Sequence, residues 1–133
     1  MHRNHVTFGL VALLALASSP ARADEKEAFG RLTVDEVQRL VESKGAQVYD
    51  NNNQERFARG HVPGAKWVRA SELSQSDLGA NKGEKLVFYC ANQQCGACHT
   101  AAKKAIALGF RNVYIMPDGI AGWEKAGKPV EKG

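Results

Sequence analysis

Leu86-Val87-Phe88-Tyr89-Cys90 is a short apolar run that ends on a thiol, and a small, polar stretch follows it, Ala91-Asn92-Gln93-Gln94-Cys95-Gly96-Ala97-Cys98-His99. An apolar run of this length between polar segments reads as a strand buried on both faces. From about Ala97 to Leu108 the residues suit a helix, closed by Gly109, and Val113-Tyr114-Ile115 reads as the next strand. Strand, loop, helix and strand in this order predict a right-handed crossover between parallel strands.

Working outward from that unit, the same alternation recurs. Thr33-Val34-Asp35-Glu36 reads as a capping box with Thr33 as N-cap. Val34, Val37, Leu40 and Val41 continue at helical spacing until Gly45 stops the helix. Gln47 to Asp50 reads as a strand, and Asn51 to Arg59 as loop with one or two helical turns around Phe57. The turn-rich Gly60-His61-Val62-Pro63-Gly64 precedes an extended Ala65 to Val68. Ser71 to Lys82 is polar with room for a helical turn. Gly119 to Ala126 predicts a last short helix carrying Trp123, ended by Gly127 and Pro129. The expected class is α/β: three layers, with a mainly parallel central sheet and helices on both faces. Repeats and low-complexity linkers are absent from the sequence.

The first residues read differently. Met1 to His5 is basic, Val6 to Ala17 is apolar or small, and Ala21-Arg22-Ala23 is an A-x-A site, the layout of a secretory signal peptide. The apolar run is shorter than the roughly 20 residues a membrane helix needs. Residues 1–23 are therefore expected to be a signal cleaved after Ala23, 24–30 a polar lead-in, and 31–133 the domain. The mature chain is expected in the periplasm or secreted, with no membrane attachment after cleavage. About 110 residues remain, enough for one core. Losing Arg3 and Arg22 takes the formal charge from +4 to about +2. Without a basic cluster interleaved with aromatics, nucleic-acid binding has no support.

All three cysteines lie between Cys90 and Cys98. A disulfide framework would spread them along the chain, so this clustering points to chemistry at one place. In open α/β sheets ligands bind at the carboxyl ends of the strands. Cys90 closes a strand there and precedes a helix start, whose amides and dipole stabilise a thiolate and any anion bonded to it. Cys95-Gly96-Ala97-Cys98 is also a C-x-x-C at a helix start, which suggests a dithiol able to resolve a persulfide or disulfide on Cys90. With His99 the string becomes a c-type haem attachment motif, and Cys90, Cys95, Cys98 and His99 are conceivable zinc ligands; both are the less favoured readings. A solvent-facing His99 and no metal are expected.

Two longer stretches resemble the rhodanese family. One runs from Tyr49-Asp50 through Phe57-Ala58-Arg59-Gly60-His61-Val62-Pro63-Gly64-Ala65. The other comprises Val87 to Cys90, Ala101-Ala102, Leu108-Gly109-Phe110, Asn112-Val113-Tyr114 and Asp118-Gly119-Ile120-Ala121-Gly122-Trp123. The resemblance implies a parallel-sheet sulfurtransferase whose Cys90 holds a sulfane sulfur as a persulfide. It implies a small-molecule sulfur donor, a cyanide or thiol acceptor, and no metal or organic cofactor; a protein thiol is a further candidate partner. Asp50, His61, Gly64 and Trp123 match signature positions read as structural, with Trp123 packing under the site. The chain departs from the family in its loop, which lacks the usual arginine and is about two residues longer. Anion binding then rests on backbone amides around Ala91 and Gly96 with Asn92, Gln93 and Gln94, which disfavours thiosulfate and argues against phosphatase or arsenate-reductase chemistry. Asn52 stands where the signature has arginine and Arg56 where an acidic partner is common, so an ion pair between these two positions is not expected.

Within this reading Cys90 is the nucleophile, Cys95 an alternate nucleophile or resolving thiol, and Cys98 a resolving thiol or a mere helix cap. The alternatives are a thiol–disulfide oxidoreductase using Cys95 and Cys98, and a non-catalytic module carrying sulfur or a metal.

Overall fold

A computed structural model describes residues 28–133; the signal-peptide expectation lies outside the described residues. Five strands, β1 (Gly30–Arg31), β2 (Gln47–Asp50), β3 (Lys66–Trp67), β4 (Leu86–Tyr89) and β5 (Val113–Ile115), form one sheet in the order β1-β5-β4-β2-β3. Every pairing is parallel. Five α-helices connect or flank them, α1 (Val34–Ser43), α2 (Gln54–Arg59), α3 (Gln75–Leu78), α4 (Ala97–Ala107) and α5 (Gly119–Lys125), with a 3-10 turn at Ala70–Glu72. The sheet is thus wholly parallel.

The two-residue period of the strands divides the core. Leu86, Phe88 and Cys90 face one side with Val113, Ile115, Leu78 and α4 residues Cys98, Ala101, Ala102 and Ala105. Val87 and Tyr89 face the other with Val34, Val37, Met116, Ile120 and Trp123. β4, flanked on both edges and covered on both faces, is fully buried, as an apolar strand in a parallel sheet must be. The small Ala101, Ala102 and Ala105 let α4 lie close against β4 and β5.

Local signals act as their chemistry dictates. The Thr33 side chain accepts from the Glu36 backbone N–H while the Glu36 carboxylate accepts from the Thr33 N–H, a reciprocal capping box. At the other end of α1 the left-handed residue is Lys44, φ 54°, one position ahead of the expected Gly45. The Gly45 N–H donates back to the Leu40 carbonyl, which satisfies the last turn. Val62-Pro63-Gly64-Ala65 makes a tight turn in which Ala65 N–H donates to Val62 O, with Gly64 at φ 77°.

The domain begins earlier than expected. Phe29 is buried in the core and Gly30 enters the sheet through β1, both within the stretch read as polar lead-in. Such a short edge strand leaves no period to read, because its pairing with Tyr114 and Ile115 is wholly non-local. The Tyr114 ring lies over Gly30, so a Cβ there would fall 2.6 Å from the ring and would need the ring to shift. Among the described residues no helix is long and apolar enough to cross a membrane.

Candidate active site

Cys90 is the first residue past β4, at the carboxyl end of the central strand and 1 % exposed. Its carbonyl accepts from the Ile120 N–H at 2.9 Å, and the carbonyl of Ala91 accepts from the Ala121 N–H at 3.0 Å. The first turn of α5 therefore clamps the start of the cysteine loop. Gly119 makes this approach possible: at φ 63°, a Cβ would lie 2.6 Å from the backbone of Cys90 and Ala91. The Asp118–Trp123 stretch was legible as a helix start, but its grip on the loop was not.

Beyond Ala91 the loop folds back on itself. Asn92 O accepts from the Cys95 N–H, and Asn92 Oδ1 accepts from the Gln94 N–H. Gln93 Nε2 donates to Asp118 Oδ1 at 2.6 Å. Two of the loop amides, those of Gln94 and Cys95, and the Gln93 side-chain donor are thereby engaged within the loop or with α5. A cleft of about 480 Å³ opens beside them, lined by Asn92, Gln93, Gln94, Asp118 and α5 residues that include Lys125. Lys125 is the cation of this lining, on a helix that sequence reasoning did not connect with the loop.

The turn at Asn92 to Cys95 brings Cys95 back to the strand end, and Cys90 and Cys95 form a disulfide with their Cα atoms 6.3 Å apart. That separation is ordinary for a disulfide. The alternative dithiol of Cys95 with Cys98 does not form: Cys95 is bonded to Cys90 instead. Cys95 lies ahead of α4 on the loop, whereas Cys98 is its second residue and points into the core, 2 % exposed and unpaired. Burial pushes the Cys98 thiol up, and the backbone N–H groups of His99 and Cys98 and the charge of Arg31 offset this only in part. Cys98 packs in the core cluster with Ala101, Ala102 and Ala105 of α4. His99, rather than facing solvent alone, meets the Phe29 ring edge-on at 5.6 Å.

Chain direction, strand-end thiol and loop-to-helix geometry together define a known arrangement, and residues 33–126 match the rhodanese-like domain family. The chain belongs to that family. Similar relatives include the thiosulfate sulfurtransferase GlpE of Pseudomonas aeruginosa, 29 % identical over 97 residues that cover 73 % of this chain and 86 % of that protein. The uncharacterized protein YibN of Escherichia coli K12 is 28 % identical over 106 residues, 77 % of this chain and 72 % of the other. Among solved structures, the BH2092 protein of Bacillus halodurans superposes with a TM-score of 0.71 at 23 % identity, covering 80 % of each chain.

In this rhodanese-like domain the signature residues form a frame across the sheet from the Cys90 side chain. Asp50 is fully buried and accepts from the Tyr89 hydroxyl at 2.6 Å and from the Asn52 N–H and Nδ2. The same Tyr89 oxygen accepts from the Val62 N–H at 3.1 Å. Asn52 thus supplies Asp50 with two neutral donors. Burial pushes the Asp50 carboxyl up, an effect that Tyr89, Asn52 and the more distant His61 only partly offset. Burial beside Asp50 also drives the Tyr89 phenol far up, so it stays a donor.

His61 donates from Nδ1 to the Phe57 carbonyl at 2.8 Å and stacks on the Phe57 ring, while its backbone pairs with Glu131. Trp123, expected under the site, is buried on the opposite face of the sheet from the Cys90 side chain and donates to the Pro129 carbonyl. Tyr89, absent from the candidate residues, joins Asp50 to the His61–Gly64 turn; its place immediately before the thiol was the available signal.

Proposed function

We propose that this domain is a sulfurtransferase in which Cys90 takes a sulfane sulfur from a donor, holds it as a persulfide and passes it to cyanide or a thiol. The observation that carries the reading is the position of Cys90: it ends the central strand where the polar loop begins, and backbone donors of α5 fix the adjacent carbonyls. In the forward step the Cys90 thiolate attacks the outer sulfur of the donor. A Cys90–S–S⁻ persulfide forms, and sulfite or a thiolate leaves. The acceptor thiolate or cyanide then takes that outer sulfur and restores the Cys90 thiolate. The reading needs no metal or organic cofactor.

Family membership and the likeness to a thiosulfate sulfurtransferase support this chemistry. The arginine-free loop favours a persulfide or polysulfide over the thiosulfate dianion, with Lys125 at the cleft as the cation for an anionic donor. We also propose export, on the signal-like order of residues 1–23. Thiocyanate formation from cyanide tests the assignment. Cys90→Ser is expected to abolish it, and Cys98→Ser to retain most of it; the reverse pattern overturns the role of Cys90.

A second reading, a dithiol oxidoreductase, is favoured by the disulfide itself, using Cys90 with Cys95. It predicts thiol–disulfide exchange without sulfur gain on any cysteine.

A further inference from the structure

Sulfur transfer through one thiol leaves Cys95 without a task, yet Cys95 is bonded to the nucleophile across a turn closed by its own N–H on Asn92 O. The two sulfurs are unequally placed. Cys90 is buried at the strand end, while Cys95 is partly exposed between the exposed Gln94 and Gly96. An incoming thiolate attacks a disulfide at the sulfur it can reach. Here that sulfur belongs to Cys95.

We propose that Cys95 resolves the Cys90 persulfide, releasing hydrosulfide, and that an external dithiol reductant regenerates the pair by attacking the exposed Cys95 sulfur. The inference rests on the persulfide reading of Cys90. In the resolving step the Cys95 thiolate attacks the inner sulfur, Cys90 Sγ, of Cys90–S–SH. The Cys90–Cys95 bond forms, the bond to the outer sulfur breaks, and that sulfur leaves as HS⁻. Both cysteines are oxidised, and the sulfane sulfur is reduced to sulfide.

In the regenerating step one thiolate of the reductant attacks Cys95 Sγ, and Cys90 leaves as the thiolate ready for the next donor. The reductant's second thiol then attacks its own sulfur in the mixed disulfide and frees Cys95. Each cycle converts a sulfane sulfur and a dithiol into hydrosulfide and a disulfide. The buried Cys98, outside the pair, takes no part.

Reduced wild type, Cys95→Ser, Cys95→Ala and Cys98→Ser would be mixed with glutathione persulfide, their masses followed, and hydrosulfide measured against a protein-free blank. Wild type and Cys98→Ser are expected to lose two hydrogens across Cys90 and Cys95 and release stoichiometric hydrosulfide. Both Cys95 variants are expected to accumulate a cyanide-labile sulfur on Cys90 and lose the hydrosulfide burst. After removal of the persulfide, dithiothreitol should return the disulfide of wild type and Cys98→Ser to the reduced pair, and a second addition of glutathione persulfide should give a second hydrosulfide burst in these two proteins only.

Wild type that keeps a stable Cys90 persulfide with Cys95 free overturns the resolving role and leaves sulfur transfer standing. Disulfide formation without hydrosulfide also overturns it, as oxidation alone would account for the bond. If Cys90 gains no sulfur in any variant, the persulfide reading falls together with the proposal.

Discussion

The Tyr89 hydroxyl is the hinge of the frame behind the site, and Tyr89→Phe isolates it. The substitution keeps the ring and removes an oxygen that donates to Asp50 at 2.6 Å and accepts from Val62 N at 3.1 Å, both buried. A hydrogen bond to a charged group contributes about 1.5–3 kcal/mol net, and a buried donor left unpaired costs about 1–3 kcal/mol. Asp50 keeps its two donors from Asn52, which holds the total to about 3 kcal/mol. For a small domain losing about 1–3 kcal/mol per molar of urea, the midpoint should fall by about 2 M.

The assay is urea unfolding at pH 7.5, repeated on Asp50→Asn and on the double variant. Because the two groups share one bond, the double variant should lose less than the sum of the singles by about 1 kcal/mol or more. A single-variant loss below about 1 kcal/mol, or strict additivity, would refute the argument that this oxygen joins β2, β4 and the His61–Gly64 turn.

Asp50 titrates above its ordinary 3.8 in the folded chain because it is buried, so the unfolded chain ionises first as pH rises. The stability of wild type relative to Asp50→Asn should therefore be highest below about pH 4 and fall as pH climbs through the folded value; a difference that grows with pH in urea unfolding would mean the hydrogen bonds outweigh burial. Gly119→Ala pushes a Cβ into the backbone of Cys90 and Ala91, and should lower thiocyanate formation at least 10-fold. Gly64→Ala, with a similar positive φ of 77° but open space around it, should cost about 1 kcal/mol in stability and leave activity within 2-fold. Equal activity in the two variants would remove the α5 clamp from the account.

Features set by near neighbours were legible in the chain: the Thr33–Glu36 capping box, the Pro63-Gly64 turn, the buried run Leu86–Tyr89 and the helix that Gly109 closes. Each depends on backbone preference or periodicity over a few residues, and the strand–helix alternation then dictates a parallel α/β sheet. The strand-end position of Cys90 followed from the same reading. Tertiary structure alone decided what joins residues far apart or facing different ways. It recruited Phe29 and Gly30 into the domain, joined Asp50 to Tyr89 across 39 positions, and laid α5 over the cysteine loop. It also chose the partner of Cys95. Spacing in sequence offered Cys98, three residues on, as one partner, but α4 turns that side chain into the core while the Asn92 turn carries Cys95 back to Cys90. Which thiols meet depends on side-chain direction, and direction is settled only when helix and strand pack.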